Sequence, residues 1–446
     1  MTLPLRRSLT TLTLVFVMFF NVSGGAFTTE SLIVTAGPGL GLLILILVPL
    51  LWSLPETLIV AELASALPES GGYYRWVYRA FGPFWAFQSG WWTWMYSLVD
   101  MAIYPVLFNQ YLAFFLPGLS GLAQWMISLS VIWTATVINL RGAGRVGRTS
   151  VAAGLFILLT FLAVAIAAVP QISHVPWRPF SRGDATGLSG LGVGLSIALW
   201  NYIGWDNAST LQGETVDASR SYPRALALTL PLVILAYLVP LMTTLGASDW
   251  TEWREGGWPE IAIMSGGVLG KPLAICLGVA GMLSAFSLFN ALLLAYSRIP
   301  FAMARDRLLP AVLGRTDSRG NPRNAVLVSA VCYSVFALLS FAHLVVADVL
   351  LYSMALFLEF GALIALRRNE PGLRGPFRIP LGTGGVVALA ALPVTVLLIV
   401  TAIGLFDGEY GAPAILGAIA AAGLGPVVYR VVSRGAGSRP TSGAAG

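Results

Sequence analysis

Charged residues are scarce in this chain. Only 10% of its 446 residues are Asp, Glu, Lys or Arg, whereas 57% are hydrophobic. Average protein composition includes about 25% charged residues, and the mean hydropathy here is +0.80. This composition excludes a soluble globular protein and predicts a chain that crosses the membrane many times.

Cysteine and histidine are also rare, with two of each. Cys276 and Cys332 lie in separate apolar stretches without CxxC spacing, so we expect them in the core and predict neither a disulfide framework nor a metal site. His174 and His343 have no neighbour at a ligand spacing. The sequence also lacks a P-loop, a dinucleotide fingerprint and a Ser/His/Asp arrangement. We therefore expect no enzyme, no ATP-driven pump and no cofactor.

Hydrophobic segments of about 20 to 30 residues recur along the chain, each long enough for a hydrocarbon core of about 30 Å. They predict an all-α membrane protein with twelve transmembrane helices. Residues 1–432 are expected to form a single transmembrane domain. Residues 433–446, rich in Gly, Ser and Ala, are expected to form a disordered cytoplasmic tail.

Basic residues orient this topology, because cytoplasmic loops carry the Lys and Arg excess. Twenty-two of the 26 basic residues fall on one side, and the four on the other side are Arg178, Arg182, Arg254 and Lys271. We therefore expect a multi-pass cell-membrane protein with both termini cytoplasmic, and its net charge of +6 does not indicate nucleic-acid binding. A signal peptide at the N-terminus is the alternative, and its removal would leave eleven spans.

Two predicted spans are interrupted by polar, glycine-bearing runs, Asn21-Val22-Ser23-Gly24-Gly25 and Asn201-Tyr202-Ile203-Gly204-Trp205-Asp206. An unwound segment at membrane depth persists only where it lines a cavity or meets a ligand, because unpaired backbone amides are costly in hydrocarbon. Paired breaks in two halves of a chain indicate the substrate site of a secondary transporter. The glycines of the first run would let backbone amides turn toward an anion such as an amino acid carboxylate.

Six acidic residues lie inside the predicted spans, and no Lys or Arg lies near the middle of any span. Each intramembrane acid costs roughly 2.5 to 3.5 kcal/mol on insertion scales, so each is a functional candidate. Acids without bases indicate either a cationic ligand or protonated carboxyls. The six are Glu56, Glu62, Asp100, Asp206, Glu214 and Glu359.

Asp100 lies in the middle of the third span, with Tyr96 and Tyr104 one helical turn away on the same face. An acid flanked by aromatic rings can hold an alkylammonium group by charge pairing and cation–π attraction. The alternative is a protonated Asp100 bonded to a neighbouring helix. Asp206 follows the second break, where it could cap the amides of the resuming helix or contact the substrate.

Aromatic side chains crowd the second break. Trp200, Tyr202 and Trp205 flank or occupy it, beside Ile203, and they could form a lid over a ligand, although packing alone would also use them. Tyr352 and Glu359 are seven residues apart in the tenth span and therefore share a face that could reach a cavity.

The remaining acids suggest gating or structural roles. Glu56 and Glu62 are six residues apart in the second span and lie on different faces, which disfavours one shared site. Glu214 lies near the inner end of the sixth span and could pair with arginines of the next loop.

These residues resemble the amino acid/polyamine/organocation superfamily, and most closely its plant and protozoan polyamine-uptake branch. The resemblance runs from about Phe16 to Pro380. The motifs that carry it are Val22-Ser23-Gly24-Gly25, Pro55-Glu56 with Ala61-Glu62-Leu63, Gly71-Gly72-Tyr73, Phe81-Gly82-Pro83-Phe84-Trp85, Asp100 with Tyr104-Pro105, Trp205-Asp206, Gly213-Glu214, Arg298-Ile299-Pro300-Phe301-Ala302-Met303-Ala304-Arg305-Asp306 and Pro376-Phe377-Arg378-Ile379-Pro380.

The resemblance implies a leucine-transporter-type fold with a 5+5 inverted repeat, broken helices 1 and 6, and two extra helices. Repeat one would cover residues of about 9–170, repeat two about 188–367, and the extra helices about 384–432. It also implies that Ser23, Gly24 and Gly25 bind a carboxylate, that Trp200 is a gating aromatic, that Asp100 occupies a third-helix ligand position, and that Tyr352 and Glu359 match the tenth-helix pattern of the polyamine branch. Together with the residues around the breaks, we predict a substrate site of Ser23, Gly24, Gly25, Asp100, Tyr104, Trp200, Tyr202, Ile203, Asp206, Tyr352 and Glu359.

Two departures from the family bear on the coupling ion. The fifth span has no lysine, so a proton-coupling lysine cannot be carried over. The eighth span offers Ser284 and Ser287 rather than adjacent hydroxyls, which disfavours a sodium ion. We therefore expect a proton as the coupling ion.

The sequence thus predicts a secondary active transporter that imports a polyamine or an amino acid by alternating access. A general or cationic amino acid permease or exchanger is the alternative. A membrane receptor that binds the same ligand without moving it remains the rival of a different class. The expected partners are a small amine or amino acid and the lipid bilayer, and the oligomeric state stays open.

Overall fold

The computed structural model describes residues 4–182, 188–337, 345–406 and 411–437. Within these ranges the chain is helical, with one isolated bridge between Leu9 and Thr215 in place of any β-strand. The α-helices are α1 (Thr11–Val22), α2 (Thr29–Ala36), α3 (Pro38–Val48), α4 (Leu54–Ala66), α5 (Gly72–Leu112), α6 (Gly121–Asn139), α7 (Ala143–Ala168), α8 (Leu188–Trp200), α9 (Ala218–Ala247), α10 (Trp258–Ser265), α11 (Gly270–Tyr296), α12 (Arg298–Arg305), α13 (Arg323–Phe336), α14 (Val345–Asn369), α15 (Thr383–Phe406) and α16 (Gly411–Gly437).

Eight helical stretches in the described ranges are long and apolar enough to cross a membrane. The protein is therefore a multi-pass membrane protein. One stretch, Pro38–Ala66, is formed by α3 and α4, which join through a π-helical turn at Pro49–Ser53. His343 and residues 438–446, most of the expected tail, lie outside the described residues, and α16 reaches Gly437.

The first break separates α1 from α2. Helix α1 starts at a capping box in which the Thr10 side chain bonds the amide of Thr13, a motif that satisfies unpaired amides at a helix start. It ends at Val22, just before Gly24 and Gly25, whose φ angles are +71° and +111°. Such angles are costly for residues with a side chain, so glycine permits the chain to leave the helix here.

The second break follows α8. After Trp200 the chain turns through Gly204, with φ +99°, and resumes as a 3₁₀ helix at Asn207–Glu214. A methyl group at Gly204 would lie 2.5 Å from the carbonyl oxygen of Asn21 in the first break. The Thr28 hydroxyl donates to Oδ1 of Asn201 at 2.9 Å. The fold therefore brings the two predicted breaks into contact.

Helix α5 packs against α11 and α14 and carries many aromatic side chains. Its 41 residues are interrupted at Gly82, whose φ of 81° and ψ of −176° are not helical. At 1.5 Å per residue a straight helix of this length would be about twice as long as the membrane core. The kink at Gly82 separates a short segment from the longer one that reaches Asp100.

The expectation for one cysteine is wrong. Cys276 is exposed on the outer surface of α11 rather than in the core, and Cys332 is half-buried. An exposed apolar position on such a helix faces lipid, where a thiol is tolerated as a small hydrophobic group.

Candidate functional site

A small cavity lies between the two breaks, α5, α11 and α14. Its volume is about 30 Å³, and one water molecule needs roughly 10–15 Å³. A ligand larger than a few waters must therefore separate these walls. The lining residues are Asn21, Val22, Ser23, Tyr96, Asp100, Tyr104, Trp200, Asn201, Ile203, Gly204, Asn207, Leu288, Tyr296 and Tyr352.

Asp100 is the acidic residue of this lining. Its side chain is only 6% exposed. The Tyr104 hydroxyl donates to Oδ1 at 2.7 Å, and the Tyr296 hydroxyl donates to Oδ2 at 3.0 Å. Two hydroxyl donors suit an ionised carboxylate, which only accepts hydrogen bonds. Among the described residues, the lining holds no Lys or Arg, so a cation that entered the cavity would meet no competing positive side chain from them.

A hydrogen-bonded chain extends from Asp100 to the second break. The Asn207 amide donates to the Tyr296 hydroxyl at 3.4 Å, and the Tyr96 hydroxyl donates to Oδ1 of Asn207 at 3.1 Å. The Tyr96 ring also meets the rings of Tyr296 and Tyr352 edge to face, with centroids 5.6 and 5.5 Å apart. The cavity therefore has aromatic walls whose polar ends are tied to one another.

The first break contributes Ser23 to the cavity but not Gly24 or Gly25. A methyl group at Gly24 would lie 2.5 Å from the Ser284 oxygen, and one at Gly25 would lie 2.8 Å from Ile157. These glycines thus permit close packing against α11 and α7. The amides of Ser23 and Gly24 both bond the carbonyl of Phe19, and the Gly25 amide bonds the Ser23 hydroxyl. All three amides that were expected to bind a carboxylate are occupied.

The side chains of the second break lie on two different sides of the backbone. Trp200 and Ile203 line the cavity. Tyr202 does not: its hydroxyl donates to the Leu45 carbonyl at 3.0 Å, and its ring packs on Tyr237 with centroids 5.2 Å apart. Tyr202 therefore anchors the break to α3 and α9 and does not belong to the cavity wall.

Behind the cavity lies a cluster of three buried carboxyl groups around Tyr352. The Tyr352 oxygen lies 2.6 Å from Oε1 of Glu56 and 2.8 Å from Oδ1 of Asp206, and it accepts the amide of Gly204 at 2.9 Å. Glu359, two helical turns after Tyr352 on the same face of α14, is fully buried, and neither of its carboxyl oxygens has a hydrogen-bond partner among the described residues. None of the three acids lines the cavity itself, whereas Tyr352 does. We call Glu56, Asp206 and Glu359 the carboxyl cluster.

Glu62 lies apart from Glu56, as their different helical faces predict. It forms a two-pronged ion pair with Arg367 of α14, and the exposed fractions of the two side chains are 7% and 4%. Glu62 also accepts the amide of Ile379 at 2.8 Å. This pair joins α4, α14 and the segment before α15.

Glu214 pairs with a different partner from the one expected. Arg298, the first residue of α12, donates to both of its oxygens at 2.8 Å, whereas Arg220 and Arg224 of the helix that follows Glu214 are exposed. Both partners of the pair are almost fully buried. The close packing of α11 on the second break decides this pairing, which local spacing could not predict.

Sequence reasoning did not single out several lining residues. Asn207 and Tyr296 join the cavity through tertiary contacts, and Leu288 covers it from α11. In the sequence, Asn207 is marked only by its position beside the second break. Tyr296 is marked only by its hydroxyl at the end of an apolar span. Glu30 of α2 was also missed: it is buried outside the cavity and accepts the amide of Gly256 at 2.9 Å.

Comparison with known proteins shows to which family this chain belongs. The model of the amino acid permease family matches residues 9–417, most of the chain. The chain belongs to the amino acid permease family. It is therefore a transporter and not an enzyme.

Plant polyamine transporters are among the relatives of this permease. It is 37% identical over 396 residues to a probable polyamine transporter of Arabidopsis thaliana, covering 88% of this chain and 81% of that protein. The identity to polyamine transporter PUT1 of Oryza sativa subsp. japonica is 34% over 400 residues, covering 89% and 74%. The identity to polyamine transporter RMV1 of Arabidopsis thaliana is 36% over 395 residues, covering 88% and 79%.

Proposed function

We propose that this permease is a secondary active transporter of polyamines, and that Asp100 binds one ammonium group of the substrate. The main evidence is the composition of the cavity, in which one buried acid lies among five aromatic side chains. None of the described lining residues is basic. Aromatic faces attract ammonium groups, and the attraction strengthens where water is excluded. Identity of 34% to 37% to proteins named polyamine transporters supports the same substrate class.

An amino acid is the second candidate substrate, because the family bears that name. An amino acid also has an ammonium group, so Asp100 would suit its amine. Its carboxylate would need donors, and the amides of Ser23, Gly24 and Gly25 are already bonded within the first break. This occupancy favours a polyamine, which has no carboxylate, over an amino acid.

We further propose a transmembrane architecture of twelve spans with a 5+5 inverted repeat. In this arrangement α1 with α2 and α8 with the 3₁₀ helix Asn207–Glu214 are the broken first and sixth spans. Contact between the breaks, through Asn21 and Gly204, supports it. Both termini would be cytoplasmic, in the cell membrane, as the distribution of basic residues indicates.

Alternating access requires the walls of the cavity to separate on one side at a time. The pairs Glu62–Arg367 and Glu214–Arg298 are buried, and in the predicted topology they would lie on the side that carries most basic residues. We propose that they hold that side closed in this conformation. A proton is the proposed coupling ion, because the carboxyl cluster adjoins the cavity through Tyr352.

Uptake into proteoliposomes tests the substrate. Labelled putrescine, spermidine, arginine and leucine would be offered to the purified permease, with protein-free liposomes as the control. Saturable uptake of putrescine and spermidine is the expected result. Transport of leucine alone would contradict the polyamine assignment, and ligand binding without uptake or counterflow would favour a receptor.

A further inference from the structure

The hydrogen bonds of the carboxyl cluster determine how many protons the cluster must hold. Glu56, Tyr352 and Asp206 form a row with two neighbouring contacts, from Glu56 to Tyr352 and from Tyr352 to Asp206. Their lengths, 2.6 and 2.8 Å, are those of full hydrogen bonds between oxygens. Each hydrogen bond needs its own hydrogen atom.

Tyrosine can supply only one of the two hydrogens, because its hydroxyl carries a single proton. The Gly204 amide donates to the Tyr352 oxygen and supplies no hydrogen to these two contacts. The other hydrogen must therefore be a carboxyl proton on Glu56 or Asp206. Glu359 holds a second proton, because it is fully buried without a hydrogen-bond partner among the described residues, and an ionised carboxylate buried without a partner is very costly. With two protons on three carboxyl groups, the cluster has a net charge of −1.

Room for a third proton exists in the same cluster. Oε2 of Glu56 and both oxygens of Glu359 find no hydrogen-bond donor among the described residues. A third proton on the cluster would make it neutral, so the number of bound protons can vary between two and three.

Among the described residues, no basic side chain bonds to the cluster and fixes this number. The ionisable groups beside it are phenols: Tyr96 packs edge to face on Tyr352, Tyr222 donates to the carbonyl of Trp205 next to Asp206, and the Tyr73 amide donates to the nearby Ser209. The basic residues on the packed elements are engaged elsewhere or exposed. Arg75 pairs with Asp306, Arg79 with Glu370 and Arg367 with Glu62, while Arg220, Arg224 and Arg368 are exposed.

The negative charges on the two sides of the cavity then match the two positive charges of a diamine. Asp100, with two hydroxyl donors, suits a charge of −1 on one wall. Tyr352 lines the same cavity and connects it to the cluster. A diamine carries two positive charges, so Asp100 and a cluster with two protons together would balance it.

We infer that the carboxyl cluster is a second cation site, in which the distal ammonium group of a polyamine at the Tyr352 hydroxyl replaces one of three protons. This inference rests on the proposed function and deepens it. The released proton passes to the water on the side to which the cavity is open. When the polyamine leaves, the cluster takes up a proton again, so the permease exchanges a proton for a polyamine.

Proton release on binding tests the inference directly. Putrescine would be added to purified permease in weakly buffered solution, and the pH change would be measured alongside binding by calorimetry. About one proton released per putrescine bound is expected, with none for butylamine, which has the same carbon chain and a single ammonium group. Putrescine affinity should fall as the pH falls, by up to about tenfold per pH unit, because one proton competes with the ligand.

Two variants separate the two acidic sites. Asp100→Asn should weaken putrescine binding but keep the release of about one proton per putrescine. Glu56→Gln/Asp206→Asn/Glu359→Gln should abolish the release. If that triple variant does not fold, infrared difference spectra of the wild-type permease serve instead, because putrescine should reduce the carbonyl band of protonated carboxylic acids.

The outcomes distinguish this inference from the proposed function. Putrescine that is bound and transported with no proton release and no change in the carboxylic acid band would overturn the inference and leave polyamine transport standing. Equal proton release by butylamine would also overturn it. Absence of putrescine binding and flux would overturn both.

Discussion

The hydroxyl of Tyr296 donates to Oδ2 of Asp100 at 3.0 Å, although the two residues are 196 positions apart. With Tyr104 bonded to Oδ1, both oxygens of the acid are oriented by phenols. The carboxylate is thereby held at the wall of the cavity rather than turned toward a backbone group. This arrangement favours a ligand-binding role over the purely structural one.

Replacement of Asp100 should separate polyamine from neutral substrates. Asp100→Asn keeps the volume and removes the charge, so the loss of a charge-assisted contact of roughly 1.5–3 kcal/mol should weaken putrescine binding about tenfold to a hundredfold. The thermal stability should stay unchanged or rise slightly, because a buried charge is removed. Calorimetry and thermal unfolding of the purified variant measure both effects.

Glu252→Gln is the control for Asp100→Asn, because it removes an exposed carboxylate far from the cavity lining. It should leave putrescine affinity unchanged. Wild-type affinity in a well-folded Asp100→Asn protein would make Asp100 structural and favour an ordinary amino acid permease.

Filling the cavity should block transport without unfolding the protein. Leu288 of α11 lines the cavity, so Leu288→Trp should abolish putrescine binding and uptake. Ile275→Trp places the same side chain on the same helix at a position that is 55% exposed, and it should retain uptake. Normal putrescine uptake by Leu288→Trp would show that the substrate takes another route.

Gly24 should not tolerate a side chain. In Gly24→Ala the left-handed backbone costs about 1–2 kcal/mol, and the new methyl group would lie 2.5 Å from the Ser284 oxygen and 2.9 Å from Leu288. Gly118→Ala is the matched control, since Gly118 also has a positive φ, +80°, but nothing within 4 Å of the added group. Thermal unfolding should show a larger loss for Gly24→Ala, and equal losses would contradict the close packing of the first break.

The buried pair between Glu214 and Arg298 should be essential for stability. Arg298→Met leaves a buried carboxylate without its partner, which typically lowers the free energy of unfolding by about 3–5 kcal/mol. Glu214→Gln/Arg298→Met removes both charges and should recover much of the loss. Monodispersity and thermal unfolding in detergent measure these effects.

The exposed pair of Arg79 and Glu370 is the comparison for that experiment. Arg79 holds the pKa of the Glu370 carboxyl below its ordinary value through their hydrogen bonds, but both side chains are well exposed. Exposed pairs contribute little to stability, so Arg79→Met should leave the unfolding temperature nearly unchanged. A loss as large as that of Arg298→Met would contradict this dependence on burial.

The sequence by itself determined the membrane class, the two breaks and most of the acids that matter. The membrane class follows from composition alone, because apolar residues far outnumber charged ones. A break is recognised from glycine and polar residues inside an apolar stretch. The position of Asp100 beside Tyr104 also follows from helical spacing, because residues four apart share a face. These properties depend only on composition and on residues close together in the chain, so the sequence alone contains them.

Only the tertiary structure decided which of these residues meet. Spacing could not separate Trp200, which lines the cavity, from Tyr202, which turns toward α3, because the backbone of a break has no fixed period. It could not join Tyr296 to Asp100, assign Arg298 to Glu214, or bring Glu56 and Asp206 to Tyr352. Each of these contacts joins segments far apart in the chain, and their positions depend on how whole helices pack against one another.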